Sequence, residues 1–365
     1  MKILLVTPWF PTTVAPESGL FVLRDALALA MVADVSVLHL DWNSDTTSLA
    51  GIDPAIRVQR VRLDRRDPRA YLRARKHVRA AARQADVVHT HALTGLVPFL
   101  VGRPAPARSP WVHTEHWSGL TASETLGRAE RVMRRLLLPV LRRPDVVVVA
   151  CRRLAEPIGA LRRGRVEVVP CVVDDPPQVR EATRDPHLLR LVGVGGLIDR
   201  KGPLTALATV AELRRRGMPA QLTWVGTGPL REAVLDAAKE AGLEEDVHLA
   251  GALPPAEVAA ELDAADMFIL PTSGDNFCVV VAEALTHGRP VVSGASTGAV
   301  DYAVAAVSEF VESRDAFAYA DAVVSLRERT ARMSAADIAG TVRGAFSSEA
   351  VAHRLMAVYG QLVHP

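Results

Sequence analysis

The chain has 365 residues, 49% hydrophobic and 23% charged, with a net charge of +2. That is enough for two ordinary cores, and no apolar run approaches the ~20 residues needed to span a bilayer. Three widely separated cysteines (Cys151, Cys171, Cys278) form no CxxC pair, which argues against a disulfide framework and for free thiols in a reducing cytoplasm. The small net charge hides an asymmetry: residues 1–180 carry 27 Lys/Arg against 17 Asp/Glu, and residues 181–365 carry 16 against 24. A basic first half suits an anionic partner such as a membrane surface, a lipid-phosphate acceptor or nucleic acid. The Ala/Arg bias points to a high-GC bacterium.

The opening MKILLVTPWFP is broken by Pro8 and Pro11 and lacks a small-residue cleavage site, so it reads as a first strand rather than a signal peptide. Ile3–Thr7, Val35–Leu40, Asp86–His89, Trp111–Thr114, Val146–Ala150 and Val166–Val169 are the candidate strands of the first half. Leu191–Val194, Leu222–Val225, Val247–Leu249, Met267–Leu270, Val291–Ser293 and Phe310–Val311 are those of the second. Helical patterns lie between most of them, the signature of parallel sheets covered by helices on both faces. After the first strand, Gly19 near a helix start could admit a phosphate or sugar, or serve as a plain N-terminal cap. Asp64–Asp86 reads as a basic helix with Arg69, Arg73, Lys76, Arg79 and Arg83 on one face and Tyr71, Ala74, Val78, Ala81 and Ala85 on the other. Arg128–Arg143 reads as another basic helix. No aromatic residues interleave these charges, so nucleic acid is not an expected partner.

His89 and His91 end one strand, and His113 and His116 end the next. These pairs lack a convincing fourth ligand, so no metal is expected there; the better reading is one His facing substrate, with His116 preferred. Pro170–Pro186 reads as a linker. Beyond it, Leu191–Gly202 (LVGVGGLIDRKG) is a strand, a Gly-rich turn, and Arg200 and Lys201 before a helix near Pro203; Lys201 could neutralise phosphate charge. Val225–Pro229 is a second glycine turn. Asp266–Val292 carries most information: a buried strand, a polar loop, and a helix expected from near Asn276 to Gly288. Asp275 and Glu283 sit eight residues apart, able to face one cleft at the strand's carboxyl end, and the amides of Phe277, Cys278 and Val279 would form a helix start suited to an anion. The last helix, roughly Glu349–Leu362, is long enough to return to the first domain. The domains expected are 1–170 plus 347–365, and 171–346.

Taken in order, these segments resemble the retaining glycosyltransferases of the family 4 type, with the GT-B architecture: α/β, two Rossmann-like doubly wound domains facing a central cleft. The resemblance runs over nearly the whole chain. It is carried by PESGLFVLRDALALA, DVVHTH, VHTEH, VVPCVVD, VGGLIDRKG, VGTGPL, DNFCVVVAEAL and HGRPVV, of which the pair Asp275/Glu283 is the most specific. It implies transfer of a sugar from a UDP- or GDP-sugar to a hydroxyl of a glycan, lipid-linked or small-molecule acceptor, with retention at the anomeric carbon. It implies that Gly19 belongs to the sugar-nucleotide loop, that Lys201 contacts the donor diphosphate and that Glu283 holds the ribose. Asp275, with Asn276 and the amides of Phe277, Cys278 and Val279, would hold sugar hydroxyls and phosphate, and His116 would lie beside the transferred sugar. No Asp-x-Asp occurs, which favours a metal-independent site with no cofactor beyond the co-substrate. A cytoplasmic protein, with peripheral contact to the inner membrane face through its basic domain, is the matching expectation.

Three positions depart from the family pattern. Gly196 stands where the family has an Arg, so Arg200 would have to supply the missing diphosphate cation. Asp275 is one methylene shorter than the usual Glu, and Cys278 replaces a Gly. A sugar-nucleotide 2-epimerase of the same architecture and a non-catalytic nucleotide-sugar binder remain alternatives. A nicotinamide oxidoreductase lacks its GxGxxG with an acidic residue ~20 positions on.

Overall fold

The computed structural model describes residues 1–42, 54–64, 66–104, 106, 109–121, 126–183, 185 and 187–363. Two compact units emerge: Met1–Val172 with Ala345–Pro365, and Val173–Gly344. Each is a parallel sheet covered by helices, with the doubly wound topology of the GT-B class.

The first unit has strands β1 (Lys2–Thr7), β2 (Asp34–Asp41), β3 (Arg57–Arg62), β4 (Val87–His91), β5 (Trp111–Glu115), β6 (Val146–Val149) and β7 (Arg165–Val168), in the order β3-β2-β1-β4-β5-β6-β7. Every pairing is parallel, with Ile3 opposite Val35 on one side and Val87 on the other. Central strands are buried on both faces, so β6 is four valines in a row, all buried. The helices are α1 (Leu20–Ala30), α2 (Pro68–Ala82), α3 (Arg128–Leu137) and α4 (Arg152–Leu161).

Two departures from the sequence expectation belong here. Strand β3 (RVQRVR) was not anticipated; it is an edge strand whose arginines 57 and 62 point to solvent. The basic helix is shorter than expected: α2 starts at Pro68, capped by Asp67, whose carboxylate accepts from Arg69 N–H at 2.9 Å. Its buried stripe is Ala70, Ala74, Val78 and Ala82, one residue every four, with Tyr71, Ala81 and Ala85 at the margin. Arg65, within the expected span, lies outside the described residues.

The second unit has β8 (Leu189–Val194), α5 (Pro203–Arg215), β9 (Ala220–Val225), α6 (Arg231–Glu240), β10 (Val247–Gly251) and α7 (Pro255–Ala264). It continues with β11 (Met267–Leu270), α8 (Val279–Thr286), β12 (Val291–Gly294), β13 (Ser308–Val311), α9 (Ala316–Arg329) and α10 (Ala335–Gly340). The sheet order is β10-β9-β8-β11-β12-β13. The segment read as a linker is tied to this unit: Asp175 accepts from Gly344 N–H at 2.9 Å, and Glu181 accepts from Ala335 N–H at 3.0 Å. The final helix α11 (Ser348–Val363) then returns to the first unit, where Val351, Ala352, Leu355, Val358 and Tyr359 join a core cluster with Val22, Ala26 and Leu29 of α1. Among the described residues, no helix is long and apolar enough to cross a membrane.

Candidate active site

In the second sheet the winding reverses between β8 and β11, and loops at the carboxyl ends of two such strands diverge to leave a crevice. After β8 the chain passes Gly195, Gly196 and Leu197 into a short 3-10 turn, Asp199–Lys201. Gly202 then starts α5 in the left-handed region (φ 73°), where a Cβ would sit 2.3 Å from the carbonyl oxygen of Pro271. Only a residue with no side chain lets the Lys201 turn approach the loop after β11 so closely.

That approach is pinned by hydrogen bonds. Arg200 O accepts from Ser273 N–H (2.9 Å) and from Thr272 Oγ1 (3.0 Å). Arg200 Nη1 donates to Gly274 O. Lys201 Nζ is thereby brought onto Asp275 Oδ2 in an ion pair whose side chains are 15% and 21% exposed, while Asp275 Oδ1 accepts from Asn276 N–H at 2.9 Å. Residues far apart in sequence, Lys201 and Asp275, thus form one charged pair at the crevice. Arg200 is spent on a backbone carbonyl beside it, and Gly196 is partly exposed with Thr227 O 3.5 Å from the place its Cβ would occupy.

The helix expected from near Asn276 begins instead at Val279. Cys278 takes a left-handed conformation (φ 60°, ψ 64°), which a helix cannot continue through. The orphan amides of the first turn therefore start at Val279 rather than at Phe277. The strained corner is braced by Tyr302, whose Oη shares its proton between Phe277 O (3.1 Å) and Cys278 O (2.9 Å) and whose ring packs on Phe277 at 4.9 Å. The side chains of Asn276, Phe277 and Cys278 are buried. Burial first, and the Asp275 charge second, push the Cys278 thiol up to about 12. Glu283 is half-buried on the second turn of α8. Tyr302 was missed in sequence because nothing in its own segment signals a contact 24 residues back.

In the first unit the winding reverses between β1 and β4. Gly19 caps α1 in the left-handed region (φ 69°), where a Cβ would lie 2.2 Å from Trp9 O. The four histidines separate into two kinds. His89 is buried with Nδ1 2.6 Å from Tyr359 Oη and Nε2 2.6 Å from Thr114 Oγ1. His113 has Nδ1 2.9 Å from Thr90 Oγ1 and Nε2 3.4 Å from Glu115 Oε2. Both are core histidines with both ring nitrogens engaged. His91 is buried with neither ring nitrogen hydrogen-bonded. His116 is partly exposed, stacked on His91 (ring centres 6.3 Å apart, planes within 9°) and packed at a tilt against Phe21 (4.3 Å, 50° between planes). Glu115 Oε1 accepts from the backbone N–H of His116 and Trp117, each at 2.8 Å, fixing this corner.

Asp25, absent from the sequence reading, joins this group. It is buried on the apolar face of α1 between Val22 and Leu29, and burial raises its carboxyl to about 7. Burial likewise lowers His116 to about 4 and holds His91 well below the usual imidazole range. One ligand atom from each of Asp25, His91 and His116 lies within 4.8 Å of the other two.

The two-unit topology with switch-point loops defines a GT-B protein, and comparison with known proteins agrees. The model described as "Glycosyltransferase Family 4" matches residues 25–175, and that described as "Glycosyl transferases group 1" matches residues 189–329. The D-inositol 3-phosphate glycosyltransferase 1 of Catenulispora acidiphila is 31% identical over 304 residues, covering 75% of this chain and 72% of that protein. The 2-deoxystreptamine glucosyltransferase of Streptomyces kanamyceticus is 29% identical over 60% of this chain. The first three curated relatives are matched over 61%, 66% and 56% of their own length. Sucrose-phosphate synthase from Thermosynechococcus elongatus superposes with a TM-score of 0.78 at 19% identity, over 99% of both chains. Anabaena HepE in complex with UDP and glucose does so with 0.70 at 16% identity, over 98% of this chain and 99% of that one. The chain belongs to the family 4 glycosyltransferases.

Proposed function

We propose that this chain is a retaining glycosyltransferase that takes a sugar from a nucleoside-diphosphate donor, UDP or GDP, and passes it to an acceptor hydroxyl. The observation that carries the reading is the Lys201–Asp275 pair beside the first turn of α8, at the switch point of the second sheet. The bond from the anomeric carbon to the diphosphate oxygen breaks and the nucleoside diphosphate leaves with the electron pair, while the acceptor oxygen bonds to the anomeric carbon and its proton passes to the departing phosphate. The catalytic need is therefore stabilisation of negative charge on phosphate. Lys201 supplies a cation and the amides from Val279 onward supply aligned dipoles, so the donor half needs no metal. Asp275 receives sugar hydroxyls, Glu283 the ribose, and His116 the face of the transferred sugar. Arg200 acts by holding the loop after β11 rather than by touching phosphate, since its guanidinium is bound to Gly274 O. Gly19 acts by letting the loop after β1 fold closely.

Named relatives act on D-inositol 3-phosphate and 2-deoxystreptamine, which supports a polyhydroxylated acceptor. A lipid-linked acceptor is supported by α3, where Val132 and Leu136 are 58% and 61% exposed among Arg128, Arg131 and Arg135. A protein working at the inner face of the membrane from the cytoplasm fits that surface. The test is incubation with labelled UDP- and GDP-sugars and an acceptor panel, with no divalent ion added, followed by NMR of the product's anomeric configuration. Retained configuration and acceptor-dependent release of one nucleotide support the reading. Change in the donor sugar without acceptor would instead mean an epimerase.

A further inference from the structure

The first unit holds a cluster of which the donor chemistry proposed above uses only His116. Asp25 comes from α1, His91 is the last residue of β4, and His116 follows β5, so three elements deliver one polar atom each to one spot at the β1/β4 switch point. Asp25 is 8% exposed, and one of its carboxylate oxygens lies within 4.8 Å of a ring nitrogen of each histidine. His91 is fully buried, and neither Nδ1 nor Nε2 has a hydrogen-bond partner. An imidazole with two idle nitrogens is costly to bury, the more so beside a buried carboxyl. It stands apart from His89 and His113, whose nitrogens are all engaged.

We propose that Asp25, His91 and His116 form a binding site for a zinc-class divalent cation. Two imidazole nitrogens and one carboxylate oxygen suit Zn²⁺ and its first-row neighbours better than Mg²⁺ or Ca²⁺, which prefer all-oxygen shells. Tetrahedral zinc with bonds of roughly 2.0–2.2 Å holds its ligand atoms about 3.3 Å apart. The three atoms, now within 4.8 Å of one another, would draw in by up to about 1.5 Å to share one ion. The ion would cancel the Asp25 charge and give His91 its missing partner. Three protein ligands leave a fourth position for water or for a hydroxyl of a bound sugar. The surroundings already hold the ligands in place: Glu115 Oε1 fixes the His116 backbone at 2.8 Å, and Phe21 backs the His116 ring. The two histidine pairs were visible in sequence; the third ligand was not, being on a helix some 66 residues before His91. The inference does not depend on the donor assignment in the second unit.

The untagged full chain is stripped with a chelator, returned to chelator-free buffer and titrated calorimetrically with Zn²⁺, in parallel with Co²⁺ followed by visible absorption. The expectation is one equivalent of either ion, Co²⁺ bands of a low-symmetry N/O site without thiolate charge transfer, and a higher melting temperature with Zn²⁺. Asp25→Asn and His91→Gln, near-isosteric changes checked by thermal melting, should each weaken Zn²⁺ binding by at least ~100-fold. His353→Gln, on an exposed helix face, should bind as the wild type. Absence of stoichiometric uptake by the wild type, thiolate bands with Co²⁺, or unchanged affinity in either folded variant would overturn the proposal. If a variant does not fold, the wild-type spectrum and stoichiometry decide it alone.

Discussion

Lys201→Met and Asp275→Asn should move nucleotide affinity in opposite directions although they break the same ion pair. Methionine keeps most of the lysine stem and removes the charge. A charge-assisted hydrogen bond is worth about 1.5–3 kcal/mol, so UDP or GDP should bind Lys201→Met ~10–100-fold more weakly. Asparagine at 275 keeps the oxygen that accepts from Asn276 N–H, at 2.9 Å in the wild type, and removes the anion that competes for Lys201. A unit charge ~6 Å from the diphosphate contributes roughly 3 kcal/mol at an effective dielectric of ~20. With side chains 15% and 21% exposed, screening lowers this. Removing the Asp275 charge should then leave affinity for the free nucleotide unchanged or improve it by up to about tenfold. Sugar transfer should fall in both variants, because Asp275 is assigned to the sugar. Equilibrium dialysis with labelled nucleotide gives the two dissociation constants, and a thermal melt confirms that both variants are folded. Equal weakening in both would refute the idea that Lys201 exchanges Asp275 for phosphate, and would reduce the pair to a structural tie.

Three other outcomes follow from the same geometry. Gly19→Ala should destabilise the protein by about 2–4 kcal/mol in denaturant titration, combining left-handed strain with a Cβ placed against Trp9 O; a loss under about 0.5 kcal/mol would mean the loop after β1 is free to move. Native protein at pH 8 should give one readily alkylated thiol, Cys171, because Cys151 and Cys278 are buried and the Cys278 thiol is pushed up to about 12; mass spectrometry showing early label on Cys278 would contradict this. His39 is lowered to about 4, chiefly by burial, and its Nδ1 faces Arg60 Nη1 at 2.5 Å. The unfolded chain therefore binds its proton first as pH falls. Stability from this group is present above about pH 6.5 and is lost towards pH 4, by about 3 kcal/mol at most. Denaturation midpoints of wild type and His39→Gln should converge across that window, and parallel curves would show that His39 is not buried neutral.

Much of this molecule could be read from the chain because parallel sheets impose a simple code. Strands buried on both faces become runs such as VVVV at 146–149, and the carboxyl ends of those runs mark where ligands go. Legibility failed where the code weakens. In β3 the two valines lie three apart, on opposite faces, so no period of two appears in RVQRVR. The start of α8 depended on the left-handed Cys278, a conformation set by Tyr302 and the neighbouring loop rather than by local propensity. Lys201 and Asp275 were each legible, but their pairing rests on Gly202 admitting Pro271, a contact between segments some 70 residues apart. Asp25 gave a faint signal, an acid three residues after Val22 and four before Leu29 on an otherwise apolar stripe. Such an acid reads as an irregularity until the fold sets two histidines beside it.

The central claim, a nucleoside-diphosphate site built on Lys201 and the first turn of α8, is tested most directly by calorimetric titration of the wild-type chain with UDP, GDP and their sugar conjugates, first without added metal and then with Mg²⁺. The account predicts saturable one-site binding of one nucleotide without added metal, little changed by Mg²⁺. Absence of binding to either nucleotide, or binding that requires Mg²⁺, would contradict it.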